Sequence, residues 1–122
     1  MLKVLVVDDS FFLRAALRLQ LKALGCDVIG EASNLEEAVE RYRTLRPDLV
    51  TLDVVLDPGS GIQIAKKISA EHPGAKILMV SAVGQEAIMD EARAAGASGY
   101  VMKPVEIPEL KKAIEEITGE AL

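Results

Sequence analysis

The sequence is short of the residues that build several common kinds of functional site. It has one cysteine, one histidine and no tryptophan among 122 residues, so a zinc cluster of cysteine and histidine is not expected. The single cysteine, Cys26, cannot form a disulfide within the chain, which suits a reducing cytoplasmic compartment. No apolar run approaches the ~18 residues that span a membrane, and residues 1–7 lack the layout of a signal peptide.

An excess of basic charge is also missing, since the 14 lysine and arginine residues are outnumbered by 19 acidic residues. The formal net charge is −5, whereas binding to nucleic-acid phosphates needs a basic surface. We therefore expect no direct binding to nucleic acid and no membrane partner. Half of the residues are hydrophobic, and a chain of this length has room for one core. These features predict a single folded domain over residues 1–122.

Short apolar runs alternate with stretches of helical periodicity along the chain. The runs lie at residues 2–7, 28–32, 48–54, 76–80 and 98–102. Between them, apolar residues recur at spacings of three and four, as on one face of a helix. Ser10 and Asn34 are suitable N-caps for the first two helices. The alternation predicts five βα units, and hence a parallel sheet with helices on both faces.

The composition of the runs indicates which strands are central. The first, third and fourth are almost continuously apolar, as strands covered on both faces should be. Gly30 and Glu31 interrupt the second run, and Ser98 and Gly99 interrupt the fifth, which fits edge positions. Right-handed crossovers then favour the order 2-1-3-4-5, in a doubly wound five-stranded α/β sheet with five helices.

Polar residues close the predicted strands at one edge of this sheet. Asp8 and Asp9 follow the first strand and Asp53 closes the third. Ser81 and Lys103 follow the fourth and the fifth. In doubly wound sheets the functional site lies at the carboxyl ends of the strands, near the switch point between the first and third. We therefore expect three carboxylates to converge on one patch, which requires a counter-charge.

Lysine and a divalent cation are suitable counter-charges for this patch. Mg²⁺ binds through a few carboxylate oxygens and retains several waters. A carboxylate nucleophile, a metal, the Ser81 hydroxyl and the Lys103 ammonium are the groups that phosphoryl transfer requires. Taken singly, each residue has a plainer interpretation, such as a solvated loop acid or, for Ser81, a helix cap. Taken together, they favour a phosphoryl-transfer site.

The chain, from KVLVVDDS to its last helix, resembles the receiver domain of two-component response regulators, in particular the CheY-like type with its flavodoxin-like fold. The resemblance implies that Asp53 accepts a phosphoryl group from a sensor histidine kinase. It implies that Asp8, Asp9 and Asp53 hold Mg²⁺, with the backbone carbonyl of Val55 as a further ligand. It also implies that Lys103 pairs with the phosphoryl oxygens.

The resemblance further implies a conformational switch. Ser81 would be the switch hydroxyl, and Tyr100 the switch aromatic whose exposure changes on activation. The responding face would comprise the fourth helix, the fifth strand and the fifth helix. It would control an output protein or an attached effector domain, in a chain that is a monomer or a weak dimer through that face. Such a protein is not a conventional enzyme, although it catalyses phosphoryl transfer to Asp53 and the subsequent hydrolysis.

The stretch DVVLDPGSG departs from the usual pattern of the family. Asp57 stands where the family usually has proline, and Pro58 follows one residue later. Gly61 keeps its expected offset, which indicates substitutions rather than an insertion. Val55 is apolar where the family often has a polar residue that affects hydrolysis, so the phosphate lifetime stays open. A phosphate-independent interaction module remains an alternative. A phosphatase of the haloacid dehalogenase type is disfavoured, because it needs a second aspartate at position 55.

Overall fold

Five strands alternate with five helices in the computed structural model, which describes residues 1–122. The elements in chain order are β1 (Lys3–Val7), α1 (Phe11–Ala23), β2 (Asp27–Ala32), α2 (Leu35–Leu45), β3 (Leu49–Leu52), α3 (Gly61–Glu71), β4 (Ile77–Ser81), α4 (Glu86–Ala94), β5 (Gly99–Met102) and α5 (Ile107–Thr118). The five βα units are as predicted. The third strand is shorter than its apolar run, so that Asp53 is the first residue after β3. No helix has the length and apolar character needed to cross a membrane.

The five strands form one sheet in the order β2-β1-β3-β4-β5, with every pair parallel. This confirms the predicted doubly wound topology. All residues of β3 and β4 are buried, whereas most residues of β2 and two of the four in β5 are half-buried. Because helices cover both faces, a central strand has no side in contact with water, and its apolar run is continuous for that reason.

Two cores lie on opposite faces of the sheet. Leu5 and Val7 of β1 join the core under α2, α3 and α4, whereas Val4 and Val6 join the core under α1 and α5. This alternation follows from the two-residue period of a strand. Full burial of one such aliphatic side chain stabilises the fold by roughly 1.5–3 kcal/mol. Packing from both sides therefore holds the ends of the strands in fixed relative positions.

Side-chain caps determine where the first two helices begin. The hydroxyl of Ser10 accepts the N–H of Leu13 at 3.2 Å, and the side-chain oxygen of Asn34 accepts the N–H of Glu37 at 2.9 Å. Both predicted N-caps are thereby confirmed. Because α1 begins at once after this cap, only residues 8–10 separate the end of β1 from the helix.

Candidate functional site

An ion-pair network lies at the carboxyl edge of the sheet. Lys103 Nζ donates to Asp53 Oδ2 at 2.8 Å and to Asp8 Oδ2 at 3.0 Å. Only 8% of the Asp8 side chain and 10% of the Asp53 side chain are exposed. The Lys103 ammonium lies between these two nearly buried carboxylates and offsets the repulsion between them. The structure thus brings together three of the residues expected at this site.

Backbone N–H groups orient the second oxygen of each buried acid. Asp8 Oδ1 accepts the N–H of Ser10 at 2.9 Å, and Asp53 Oδ1 accepts the N–H of Val55 at 3.1 Å. In both cases the side chain bonds the backbone two residues further on, a turn that aspartate favours where a strand ends. Local sequence therefore orients both carboxylates, while Lys103 reaches them from beyond β5.

The charge on Lys103 is stabilised by its two partners. Burial would by itself lower the pKa of the Lys103 ammonium, because the charged form loses hydration. The hydrogen bonds to Asp53 and Asp8 outweigh this effect and hold the pKa above its ordinary value of 10.5. Lys103 is therefore a fixed positive charge at neutral pH. A phosphoryl group on Asp53 would bring negative charge to the immediate neighbourhood of this cation.

The carboxylate of Asp9 lies apart from this network. It is exposed, and its Oδ2 accepts the backbone N–H of Asp57 at 3.0 Å. No three acidic, histidine or cysteine side chains are arranged in the structure as a metal-binding group. The predicted convergence of three carboxylates is therefore wrong for Asp9, because the N–H of Asp57 holds its side chain elsewhere.

The donor atoms nonetheless suit a hard divalent cation. Lys103 already occupies the position of a cation between Asp8 and Asp53. Mg²⁺ prefers oxygen ligands and needs only one or two protein carboxylates, because it retains several waters. The carboxylate of Asp9 is exposed, and one hydrogen bond, from the N–H of Asp57, holds it. The residues present therefore fit Mg²⁺, whose ligands would come from Asp8, Asp9, Asp53 and the backbone of Val55.

Gly61 allows α3 to begin directly against Asp53. Its N–H donates to the carbonyl oxygen of Val54 at 2.9 Å. A Cβ at position 61 would lie 1.9 Å from the backbone oxygen of Asp53, so only glycine fits there. The substitutions at Asp57 and Pro58 thus leave this close approach intact, while the exposed side chains of Val55 and Asp57 form the rim of the site.

Ser81 and Tyr100, the two expected switch residues, contact the same residue of the loop between β4 and α4. The hydroxyl oxygen of Ser81 accepts the N–H of Val83 at 3.2 Å, and the hydroxyl of Tyr100 donates to the carbonyl oxygen of Val83. Ser81 does not cap α4, whose N-cap is Gln85. The ring of Tyr100 is half-buried against the core under α2, α3 and α4. Because Val83 takes part only through its backbone, no sequence signal could have revealed it.

Arg14 is a further residue at the site that was not predicted from the sequence. Its Nη1 donates to the carbonyl oxygen of Asp8 at 2.6 Å, and its Nε donates to Glu31 Oε1 at 3.0 Å. One signal was present, since Glu31 is a charge inside a predicted strand and such a residue needs a cationic partner.

The chain matches a known family over most of its length. The family model of the response regulator receiver domain covers residues 4–115. The chain belongs to this receiver domain family. The receiver is 40% identical to the chemotaxis protein CheY of Thermotoga maritima over 116 residues, which are 95% of this chain and 97% of that protein. The family and the fold inferred from the sequence are thus confirmed.

Other relatives show two contexts for such a domain. The DNA-binding transcriptional activator DevR/DosR of Mycobacterium tuberculosis is 36% identical over 121 residues, which are 96% of this chain but 54% of that protein. In a crystal structure of the CheX–CheY–BeF3–Mg²⁺ complex from Borrelia burgdorferi, the matching chain has a TM-score of 0.91 and 29% identity, covering 95% of the receiver and 88% of that chain. Receiver domains of this family act in phosphorelays, between histidine kinases and output domains.

Proposed function

We propose that this receiver accepts a phosphoryl group from a sensor histidine kinase onto Asp53, with Mg²⁺ bound, and that α4, β5 and α5 then change for an output partner. The observation that carries the proposal is the position of Lys103. A nearly buried carboxylate with a fixed ammonium 2.8 Å from one oxygen is suited to accept a charged group. We place the protein in the cytoplasm with its kinase.

Transfer would begin with attack of an Asp53 carboxylate oxygen on the phosphorus of a phosphohistidine. The O–P bond forms as the P–N bond breaks, and the electron pair of the broken bond leaves with the imidazole, which retains its ring proton or takes one from water. Lys103 stays against the acceptor and neutralises oxygens of the transferred group. Bound Mg²⁺ would supply further neutralisation of the same oxygens. The receiver would catalyse only this transfer and the later hydrolysis of the aspartyl phosphate.

The contacts of Val83 support a route from Asp53 to a partner surface. The hydroxyl hydrogen of Ser81 remains available to a phosphoryl oxygen, and a charge-assisted hydrogen bond is worth roughly 1.5–3 kcal/mol. That is enough to bias a two-state loop. Movement of Val83 would break or shorten the hydrogen bond that its carbonyl accepts from the Tyr100 hydroxyl. Tyr100 borders a groove of about 340 Å³ between β5 and α5. This face would bind an output protein or an attached effector domain, or a second copy weakly.

Mass spectrometry with a small phosphodonor tests the acceptor. We predict that the wild type gains ~80 Da in acetyl phosphate and Mg²⁺, whereas Asp53→Asn gains nothing, because the amide is not a nucleophile for this transfer. Asp57→Asn is the matched control, since it removes an exposed acid from the same loop and should leave labelling intact. Full labelling of Asp53→Asn would contradict the assignment.

An interaction module that works without phosphate is the second candidate. The hydrogen bond between Asp9 and Asp57 favours it, because that contact keeps one expected Mg²⁺ ligand away from Asp8 and Asp53. This candidate predicts no mass gain from acetyl phosphate or from a phosphorylated kinase, and no amide NMR shifts on addition of beryllofluoride. The phosphatase alternative is set aside, because the chain belongs to the receiver family.

A further inference from the structure

Arg14, in the first turn of α1, connects three parts of the structure. Its guanidinium donates to the backbone carbonyl of Asp8 at 2.6 Å and to the carboxylate of Glu31, on β2, at 3.0 Å. The side chains are largely buried, with exposures of 16% for Arg14 and 25% for Glu31. The backbone N–H of Arg14 also completes the first helical hydrogen bond to Ser10 at 3.0 Å. The residue therefore ties α1, β2 and the turn after β1 together.

The carbonyl oxygen of Asp8, which Arg14 contacts, lies outside the backbone hydrogen-bond patterns of the sheet and of α1. The N–H of Asp8 donates to Ala32 of the neighbouring strand at 3.1 Å, which continues the pattern of the sheet. The carbonyl of Asp8 instead lies between the end of β1 and the start of α1. Because this carbonyl belongs to the peptide that joins Asp8 to Asp9, its hydrogen bond to Arg14 sets the direction in which Asp9 leaves the strand.

We propose that Arg14, anchored by Glu31, is a positioning residue that holds the Asp8–Asp9 turn in the orientation required for binding a divalent cation. This inference rests on the proposed function, which supplies the cation as Mg²⁺. Arg14 would not touch the metal, since at Asp8 it contacts the backbone carbonyl and makes no bond to the carboxylate of Asp8 or of Asp9. Groups that orient metal ligands in this way commonly contribute strongly to metal affinity.

If Arg14 acted only through its charge, its removal would change Mg²⁺ affinity in the opposite direction from that expected of a positioning residue. Arg14 is a cation close to the site, so its removal would favour Mg²⁺ binding if only electrostatic repulsion mattered. Removal would weaken binding if the hydrogen bond to Asp8 holds the turn. Arg18 provides a matched control, because it pairs with the same Glu31, is 52% exposed and makes no hydrogen bond to Asp8.

Mg²⁺ titrations of four variants, followed by amide NMR and calorimetry, test the proposal. Arg14→Ala should bind Mg²⁺ about tenfold more weakly than the wild type. Arg18→Ala should stay within about twofold or bind more tightly, since its exposed charge is screened. Glu31→Ala should lose Mg²⁺ affinity to about the same extent as Arg14→Ala. Glu31→Gln should retain it, because the amide oxygen still accepts from Arg14.

Two results would overturn the positioning role: Arg14→Ala binding Mg²⁺ as tightly as the wild type, or Arg18→Ala losing as much affinity as Arg14→Ala. If Arg14→Ala does not fold, Arg14→Lys replaces it, since lysine keeps the charge but has one nitrogen in place of the two that contact Asp8 and Glu31. Unchanged affinity in Arg14→Lys would then refute the role. A wild type that binds no Mg²⁺ contradicts the proposed function itself, whereas normal binding by the wild type and every variant contradicts only this inference.

Discussion

Among single residues, Lys103 has the largest effect on the charge balance of the site. It lies between two nearly buried carboxylates, and these contacts raise its pKa in the folded state. A raised pKa means that folding favours the protonated ammonium. The resulting stabilisation is fully present below the unfolded pKa, near 10.5, and is lost as the pH rises through the folded pKa.

We predict that the free energy of unfolding falls with rising pH above about pH 10 and that Lys103→Met shows a shallower fall. Burial also raises the pKa of the Tyr42 phenol, which contributes a fall in the same range. Both proteins should therefore carry Tyr42→Phe, which removes the Tyr42 contribution from both slopes. Urea unfolding at constant ionic strength measures the slopes. Equal slopes would mean that Lys103 gains no proton affinity on folding.

Among the connecting elements, the loop between β4 and α4 is the one that would link the site to the proposed output face. Val83 in this loop contacts both Ser81 and Tyr100 through its backbone. The helix that follows is weakly anchored, since α4 has no side-chain cap bond and buries only Ala92 completely. An element with few buried contacts moves at low free-energy cost, which suits a segment that responds to a new bond at Ser81.

We predict that Ser81→Ala still accepts a phosphoryl group but loses most of the beryllofluoride-induced NMR shifts in α4 and β5, because the hydroxyl that moves Val83 is gone. Tyr100→Phe keeps the ring in the core but removes the bond to Val83. It should retain the shifts at residues 81–83 and lose those in β5. Amide spectra with and without beryllofluoride, in Mg²⁺, distinguish these patterns. A complete set of distant shifts in Ser81→Ala would exclude this route.

The functional groups of the whole molecule converge because the sheet is parallel. Residues far apart in sequence, such as Asp8 and Lys103, meet only when both cores have formed around the sheet. The unfolded chain cannot gather the same oxygen atoms. A cation that binds at this edge therefore binds the native state alone and shifts the folding equilibrium by mass action.

We predict that Mg²⁺ raises the midpoint of thermal unfolding, with a stabilisation of about 2.7 kcal/mol when free Mg²⁺ is 100-fold above its dissociation constant. Chelator should reverse the shift, and the double variant Asp8→Asn, Asp9→Asn should abolish it. Sodium chloride at matched ionic strength is the control, because the chain carries a net charge of −5 that any salt screens. An equal shift with sodium chloride would rule out a specific site.

Local patterns in the sequence were sufficient to predict the elements, the strand order and the position of the site. The spacing of apolar residues and the capping residues determine where helices and strands begin. Both signals involve only residues a few positions apart in the sequence. A strand buried on two faces is almost entirely apolar, and this pattern identified the central strands. The placement of Asp8, Asp53 and Lys103 at one edge follows from the parallel topology alone.

Only the tertiary structure decided the contacts that involve backbone groups of distant loops. The N–H of Asp57 holds Asp9, the carbonyl of Asp8 accepts from Arg14, and the carbonyl of Val83 accepts from the hydroxyl of Tyr100. Every residue other than proline carries the same donor and acceptor, so residue identity does not show which of them a side chain will meet. The choice depends on the direction of each peptide, which is set when packing against the sheet gives the loops their conformation.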